Sequence, residues 1–396
     1  MASLIRSHNP FTQRTGTTPG LDRVFIIISE YQFQYNSSHI RGIFANRDFE
    51  CMGLNISSTN KVVRLRVLSS HSKTSSSTEP VCSLDVSCDG YLLASSHESF
   101  IVIWDLDRLS VLTTLQGHRE TVVLIRFTSS SWRLASCSID GSIRVWGRQS
   151  GKWKCENVIQ SNHSGWDWSC SWLMGDALAS VGTNGRLNLW DSIHAHVPVE
   201  LIGSEPVHTR SAKCVACITV TPNIYLITAG NDSVITISEL SRNPKGIPHL
   251  SILRHIAPIV PGEVHDMTSY EFNRNGESVF AVVGSDKSVR IWNMKDVLDW
   301  SDDHILLWNR KAINVIRFSA DGRHFAIGDT AGIITVYRSP IPSLGIRVAR
   351  VWSYRIRMGS IRSLAWTSAT HSAIVVGLSS GKIVRLDLPS KLRNST

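Results

Sequence analysis

The chain has 396 residues, 42% hydrophobic and 18% charged, with 41 Lys and Arg against 32 Asp and Glu for a formal charge of +9. The hydrophobic share is that of a globular protein, and the charged share, below the usual value of about 25%, suits a chain built largely of strands. The longest clean apolar run is the five residues Val24–Ile28, far short of the roughly 20 that a membrane helix needs, and the net charge attracts nucleic acid, acidic partners or anionic membranes without choosing among them.

In chain order, residues 1–23 carry Arg6 and Arg14, no acid before Asp22, and helix-opposing Pro10, Pro19 and Gly20. A disordered leader without an apolar secretory core is expected there. Residues 24–60 follow as an N-terminal extension, and Lys61–Leu68 (KVVRLRVL) reads as a strand. Ser69–Pro80 is polar, rich in Ser and Thr and without alternation, and therefore a loop. From there a phrase returns: a turn, alternating aliphatics, then Trp. It ends at Trp104, Trp146, Trp190 and Trp292, with degenerate copies ending at Ser238, Tyr337 and Leu386. Intervals of roughly 40 to 55 residues with this strand signature imply a propeller of four-stranded antiparallel blades. The first strand of each unit alternates and ends on a ring, as in Ile125 with Phe127 and Leu364 with Trp366, and Asp89-Gly90, Asn275-Gly276 and Asp321-Gly322 supply hairpin turns.

The last unit ends at Leu386-Asp387-Leu388 without an outer strand of its own, and residues 389–396 form a short tail. Residues 61–68 can supply that strand and close the ring, which removes exposed sheet edges. The expectation is an all-β single propeller over 61–388 with seven blades. An eight-bladed ring is the alternative, with residues 24–60 as part of the extra blade.

On these residues the chain resembles the WD-repeat family of β-propellers. The fullest unit has Gly117-His118 before its first strand, Ser136 in the second, Asp140 in the turn and Trp146 in the third. In the family these side chains hydrogen-bond across the blade and fix its register. The resemblance places His163, Ser180, Asn184 and Trp190 in the same slots of the next unit, then His208, Thr228 and Asp232 with Ser238 in place of Trp. His265, Asp286 and Trp292 fill the fifth unit, with Val282 where Ser is expected. Ala331 and Ser380 occupy the Asp slot of the sixth and seventh, which leaves their locking network in doubt. Because His, Asp and Ser recur in these slots, the resemblance makes them structural rather than catalytic, and the chain reads as a non-enzyme without cofactor.

Eight cysteines at 51, 82, 88, 137, 155, 170, 214 and 217 have no framework spacing, which fits a reducing compartment, cytoplasmic or nuclear. Cys214 and Cys217 have a metal-like spacing, but residues three apart on a strand point to opposite faces, so no metal site is expected. What remains is surface. Loops entering the first strands hold Arg119, Arg210, Lys213, Arg310, Lys311 and Arg362, with Trp166 and Trp168 in the same loop class; Trp beside Arg is a pattern of binding hot spots, and plugs between blades are the plain alternative. A second basic stretch holds Arg347, Arg350, Trp352, Arg355 and Arg357, which can grip phosphates and stack bases or can be an outer strand with Arg on its exposed face. The family resemblance implies a scaffold for protein–protein interactions in a multi-subunit complex, as a monomeric ring with no membrane contact. The basic stretch supports an RNA-associated factor as the alternative. A ubiquitin-ligase substrate adaptor is a third reading, although the Arg two places after a Trp-Asp pair, frequent in such receptors, is absent. Residues 145–155 also resemble a repeat of the cytosolic iron-sulfur assembly propellers.

Overall fold

The computed structural model describes residues 79–130, 132–163, 165–173, 176–191, 199–242, 248–256, 262–272, 277–340, 347–367 and 373–388, with the strand backbones Arg23–Ile28, Tyr31–Asn36, Phe44–Asn46, Phe49–Cys51 and Arg64–Leu68. The expected leader, the Ser/Thr loop at 69–78, the turn at Asn275-Gly276 and the tail at 389–396 lie outside the described residues.

Seven four-stranded antiparallel sheets follow one another along the chain. Blade 1 spans Val81–Gln116, blade 2 Val122–Gln160, blade 3 Asp167–Pro206, blade 4 Ala212–Ile256, blade 5 Val264–Trp308 and blade 6 Ile313–Arg355. Blade 7 is made of Ile361–Trp366, Ala373–Leu378, Ile383–Asp387 and the distant strand Arg64–Leu68, which pairs antiparallel with Ile383–Asp387 from Leu68↔Ile383 to Arg64↔Asp387. The ring therefore closes as expected, with seven blades. Residues 23–36 form their own two-stranded hairpin and 44–51 a second one, and neither adds an eighth four-stranded sheet.

Each blade's first strand lies at one edge of its sheet and packs against the first strands on either side, the seventh against the first. These strands line the axis. The core sits between blades. Trp146 of blade 2 packs with Ala94, Ile101 and Ile103 of blade 1, Trp190 of blade 3 with Val145 and Ile159 of blade 2, and Trp292 of blade 5 with Ile227 and Ile237 of blade 4. The recurring Trp is thus a wedge into the preceding blade. A buried indole removes about 150–250 Å² from water, and at about 25 cal/mol/Å² each wedge contributes roughly 4–6 kcal/mol before entropy is counted. Tyr337 and Leu386 take the same place between blades 5 and 6 and between 6 and 7.

All seven first strands break register near their start, between Val81 and Leu84, Val122 and Leu124, Asp167 and Ser169, Ala212 and Cys214, Val264 and Asp266, Ile313 and Val315, and Ile361 and Ser363. A bulge re-aims the residue it leaves unpaired. Here it sets one ring of side chains at the same height around the axis.

Candidate interaction face and axial mouth

The polar slots come first, because they hold the loops in place. In blade 2 the Trp146 indole N–H donates to Ser136 Oγ (2.9 Å), Ser136 Oγ lies 2.7 Å from His118 Nε2, and His118 Nδ1 lies 3.0 Å from Asp140 Oδ2. The consistent proton assignment is a Ser hydroxyl donating to Nε2 and an Nδ1–H donating to the carboxylate, which leaves the imidazole neutral. Burial lowers the His118 pKa in agreement with this. Burial alone would raise the Asp140 carboxyl, but hydrogen bonds from Ser142, the Arg119 amide and His118 outweigh it and bring the pKa to about 2. Blade 3 repeats the chain through Trp190, Ser180, His163 and Asn184, and blade 4 through Thr228, His208 and Asp232. Ser238, standing where Trp would donate, has a buried hydroxyl without a partner.

The other blades depart from the slot template. His265 is not the fifth blade's locking imidazole: it is the second residue of the strand Val264–Phe272, and its Nδ1–H donates to the Ile313 carbonyl of blade 6 at 2.8 Å. Asp286 is held instead by Arg290 (2.5 Å) and Ser288, and with Val282 unable to accept, the buried Trp292 indole N–H has no partner. In blade 1 the imidazole comes from the second strand, His97 Nε2 lying 3.0 Å from Ser95 Oγ, which also accepts from Trp104. With no carboxylate beside it, burial lowers the His97 pKa to about 4. Blade 6 keeps a lock after all: Asn309 donates to Asp329 Oδ2 (3.1 Å), while Asp329 Oδ1 accepts from the amides of Ala331 and Ile333. In blade 7 the buried Ser380 hydroxyl is unpartnered.

Three of the loop-face residues singled out in the sequence, Trp166, Trp168 and Lys213, come together. The bulges leave Cys82, Val123, Trp168, Lys213, His265, Asn314 and Arg362 unpaired in the first strands of blades 1 to 7. Lys213 Nζ sits 3.1 Å from the centroid of the Trp168 ring, and Trp166 meets Trp168 edge-on at 5.1 Å. Burial lowers the Lys213 pKa, partly opposed by Glu263 and Cys214. Trp166 is 45% exposed, while the Trp168 indole nitrogen is buried and unpartnered. The result is a rigid aromatic pair carrying a cation, set in a half-open mouth, and such a pair binds by area and charge together. Arg119, Arg210, Arg310, Lys311 and Arg362 are exposed around it.

Below the mouth is a layer that pattern reading did not flag. Asp85 accepts from the Phe127 amide (2.7 Å), and Asp266 accepts from the Ile316 amide (2.9 Å) and the Arg317 guanidinium. Burial lowers the Arg126 pKa, as does the nearby Arg317, against the pull of Asp85 and Asp266. Two acids and two bases thus lie near one another in these first strands, and burial raises the Asp85 pKa against the pull of Arg126. Their common signal is a charged residue inside a first strand that otherwise alternates toward a buried face.

The second basic stretch is an outer strand, Ala349–Arg355. Arg347, Arg350, Arg355 and Arg357 are exposed, but Trp352 is 6% exposed and packs in the core between blades 6 and 7 with Tyr354 stacked on it at 5.8 Å. The expectation of an aromatic platform for bases is therefore corrected: pleat alternation turns Trp352 inward. The surplus Trp residues divide. Trp153 and Trp352 are plugs, Trp166 and Trp168 belong to the mouth, and Trp132, Trp300 and Trp308 are exposed elsewhere.

Cys214 joins the core between blades 4 and 5, whereas Cys217 packs between blades 3 and 4, on the opposite face of the same strand. Among the described residues no group of three or more His, Cys, Asp or Glu could hold a metal ion, and no helix is long and apolar enough to cross a membrane.

The profile of the WD domain, G-beta repeat, matches residues 63–105, 109–147 and 259–293. Those segments carry WD repeats, and the fold is a seven-bladed β-propeller. Protein transport protein SEC13 of Cryptococcus neoformans var. neoformans is 23% identical to this propeller over 243 residues, 53% of this chain and 72% of that protein. The guanine nucleotide-binding protein subunit beta of Saccharomyces cerevisiae is 24% identical over 224 residues, 56% of this chain and 50% of that one. A probable cytosolic iron-sulfur protein assembly protein CIAO1 homolog of Ixodes scapularis is 40% identical over 52 residues, only 13% of this chain and 16% of its own. These WD-repeat relatives are interaction mediators in complexes of unrelated kinds, and no specific function passes from them to this chain.

Proposed function

We propose that this propeller is a non-catalytic scaffold, a monomeric ring that holds protein partners within a larger cytoplasmic or nuclear complex through its loop face. The observation that carries this reading is the Trp166–Trp168–Lys213 cluster at the axial mouth, where two edge-on indoles and a cation offer a preformed anchor. Support for the absence of catalysis comes from the one constellation that mimics a catalytic triad. Ser136 is fully buried, its oxygen already accepts from Trp146, and its hydroxyl faces His118, so no substrate carbonyl can approach it.

The test is capture of partners from lysate on the tagged full chain at physiological salt, with and without ribonuclease, beside a Trp166→Ala/Lys213→Glu variant. Partners that survive ribonuclease and are lost from the variant at unchanged melting temperature support the scaffold. Partners that vanish with ribonuclease would replace it with the RNA-associated reading.

A further inference from the structure

The sixth and seventh blades lack an acid at a turn position where blades 2, 4 and 5 carry one. Asp140, Asn184, Asp232 and Asp286 occupy the turn between second and third strands in blades 2 to 5, and Ala331 and Ser380 stand there in blades 6 and 7. Two adjacent turns of one face therefore have no carboxylate at that position. The same sector carries five exposed cations, Arg310, Lys311, Arg355, Arg357 and Arg362. Among the described residues, none of the five is in an ion pair. Of the carboxylates nearby among the described residues, Asp329 is 2% exposed and spends both oxygens on the Ala331 and Ile333 amides and Asn309, and Glu79 lies near Cys82, as Arg362 does, without an ion pair to Arg362.

Two of the five cations, Arg355 and Arg357, line an open depression. It has a volume of about 580 Å³ and is lined by Thr330, Ala331, Arg355, Arg357, Gly359 and Ser360 among others, within the range of sites that enclose a few side chains. Its floor is fixed by close backbone approaches. A Cβ on Gly332, whose φ is +76°, would lie 2.4 Å from the Ile356 carbonyl oxygen and 2.6 Å from that of Gly359. Ser360 in turn donates its amide to Ser379 Oγ at 3.0 Å, tying the loop to blade 7. The site is thus held open by its own backbone, with two guanidinium forks at its edge.

We propose that this sector binds an acidic segment of a partner protein, with Arg355 and Arg357 gripping its anionic side chains. Guanidinium forks match carboxylate and phosphate groups alike, so both chemistries fit. Single-stranded RNA is disfavoured at Arg355 and Arg357 because the residues lining their pocket include no ring for base stacking, Trp352 being buried, Tyr354 stacked on it and the exposed Trp308 lying beside Arg310 instead. The proposal rests on the loop face being a docking surface, but it concerns a different sector from the Trp166 mouth.

Fluorescence anisotropy on the full chain at 150 mM salt, where the Debye length is about 8 Å, separates the outcomes. Three labelled probes are used: a Glu-rich peptide, an otherwise neutral peptide bearing one phosphoserine, and a single-stranded uridine oligonucleotide. One or both peptides should bind more tightly than the RNA, and which of them binds tells carboxylate from phosphate. Arg355→Glu/Arg357→Glu should weaken that binding about tenfold or more, and Ala331→Asp, which returns a carboxylate to the turn, severalfold, both at unchanged melting temperature. Trp132→Ala, an exposed ring outside both surfaces, should leave it within about twofold; lysate partners are scored on the Trp166→Ala/Lys213→Glu variant and peptide binding on the Arg355→Glu/Arg357→Glu one, so the two losses are read separately. Peptide affinity indifferent to both sets of charge changes, or RNA bound more tightly than either peptide, would overturn the proposal.

Discussion

Replacing Ser136 by Ala tests whether the polar chain in blade 2 fixes the blade. Its hydroxyl is fully buried and serves two neighbours, accepting from the Trp146 indole and donating to His118 Nε2. Removal leaves one buried donor and one buried acceptor unsatisfied, each costing about 1–3 kcal/mol, and the methyl that remains is too small to leave a large void. The expected loss is about 3 kcal/mol. With an unfolding entropy of roughly 2 cal/mol/K per residue over a ring of this size, the melting temperature should fall by about 4–5 °C. Urea unfolding followed by Trp fluorescence measures it, with an unchanged slope showing that the unfolded state is the same. His118→Ala and the double variant complete a cycle. The double should cost less than the sum by at least about 1 kcal/mol, because the second removal deletes an atom already orphaned. A single-variant loss under about 0.5 kcal/mol, or strict additivity, would refute the coupled chain. Blade 5 makes the logic plausible in reverse, since Val282 has removed the acceptor and left the Trp292 N–H alone.

Three further outcomes are expected. His97, with a folded pKa of about 4 against 6.5 unfolded, binds its proton less readily in the fold; its neutral form carries no penalty above pH 6.5, and stability falls as pH drops from 6.5 toward 4, by at most about 1.4 kcal/mol per unit. Urea midpoints across that window should fall less steeply for His97→Gln. Gly332→Ala should destabilise by more than about 2 kcal/mol in the same assay, because a positive φ and two carbonyl oxygens within 2.6 Å leave no room. Among the described cysteines, alkylation by iodoacetamide at neutral pH should reach exposed Cys88 first and spare Cys217, pushed up to about 12, until the chain is unfolded. Mass mapping of the labelled sites reads the order.

The ring was legible in the sequence because its signals are local and repeated: an alternating first strand, a turn, a Trp at the fifth residue of the third strand. The closure by residues 64–68 was legible too, since a last blade one strand short leaves an edge to be filled. The locks of blades 1 and 6 were hidden for a geometric reason. Asp329 stands two residues before the turn slot and reaches Asn309, and His97 reaches Ser95 from within one strand, so the same hydrogen-bonding need is met from positions a fixed template does not inspect. His265 misled in the opposite way, a His near the right place whose bulge aims it at the next blade. Trp352 illustrates the limit on surfaces: composition put it beside four Arg, and the pleat put it inside.

The closing strand sets a clock on the assembly of the ring. Arg64–Leu68 is made early, and its partner Ile383–Asp387 is made roughly 300 residues later. At about 5–20 residues per second, that separation is some 15 to 60 seconds of synthesis during which the first strand has no partner and six blades can stack without a seventh. Loop-closure entropy rises only slowly with length, so the delay costs little in final stability. It falls instead on the nascent chain, whose outermost blades wait with open edges for the segment that joins them.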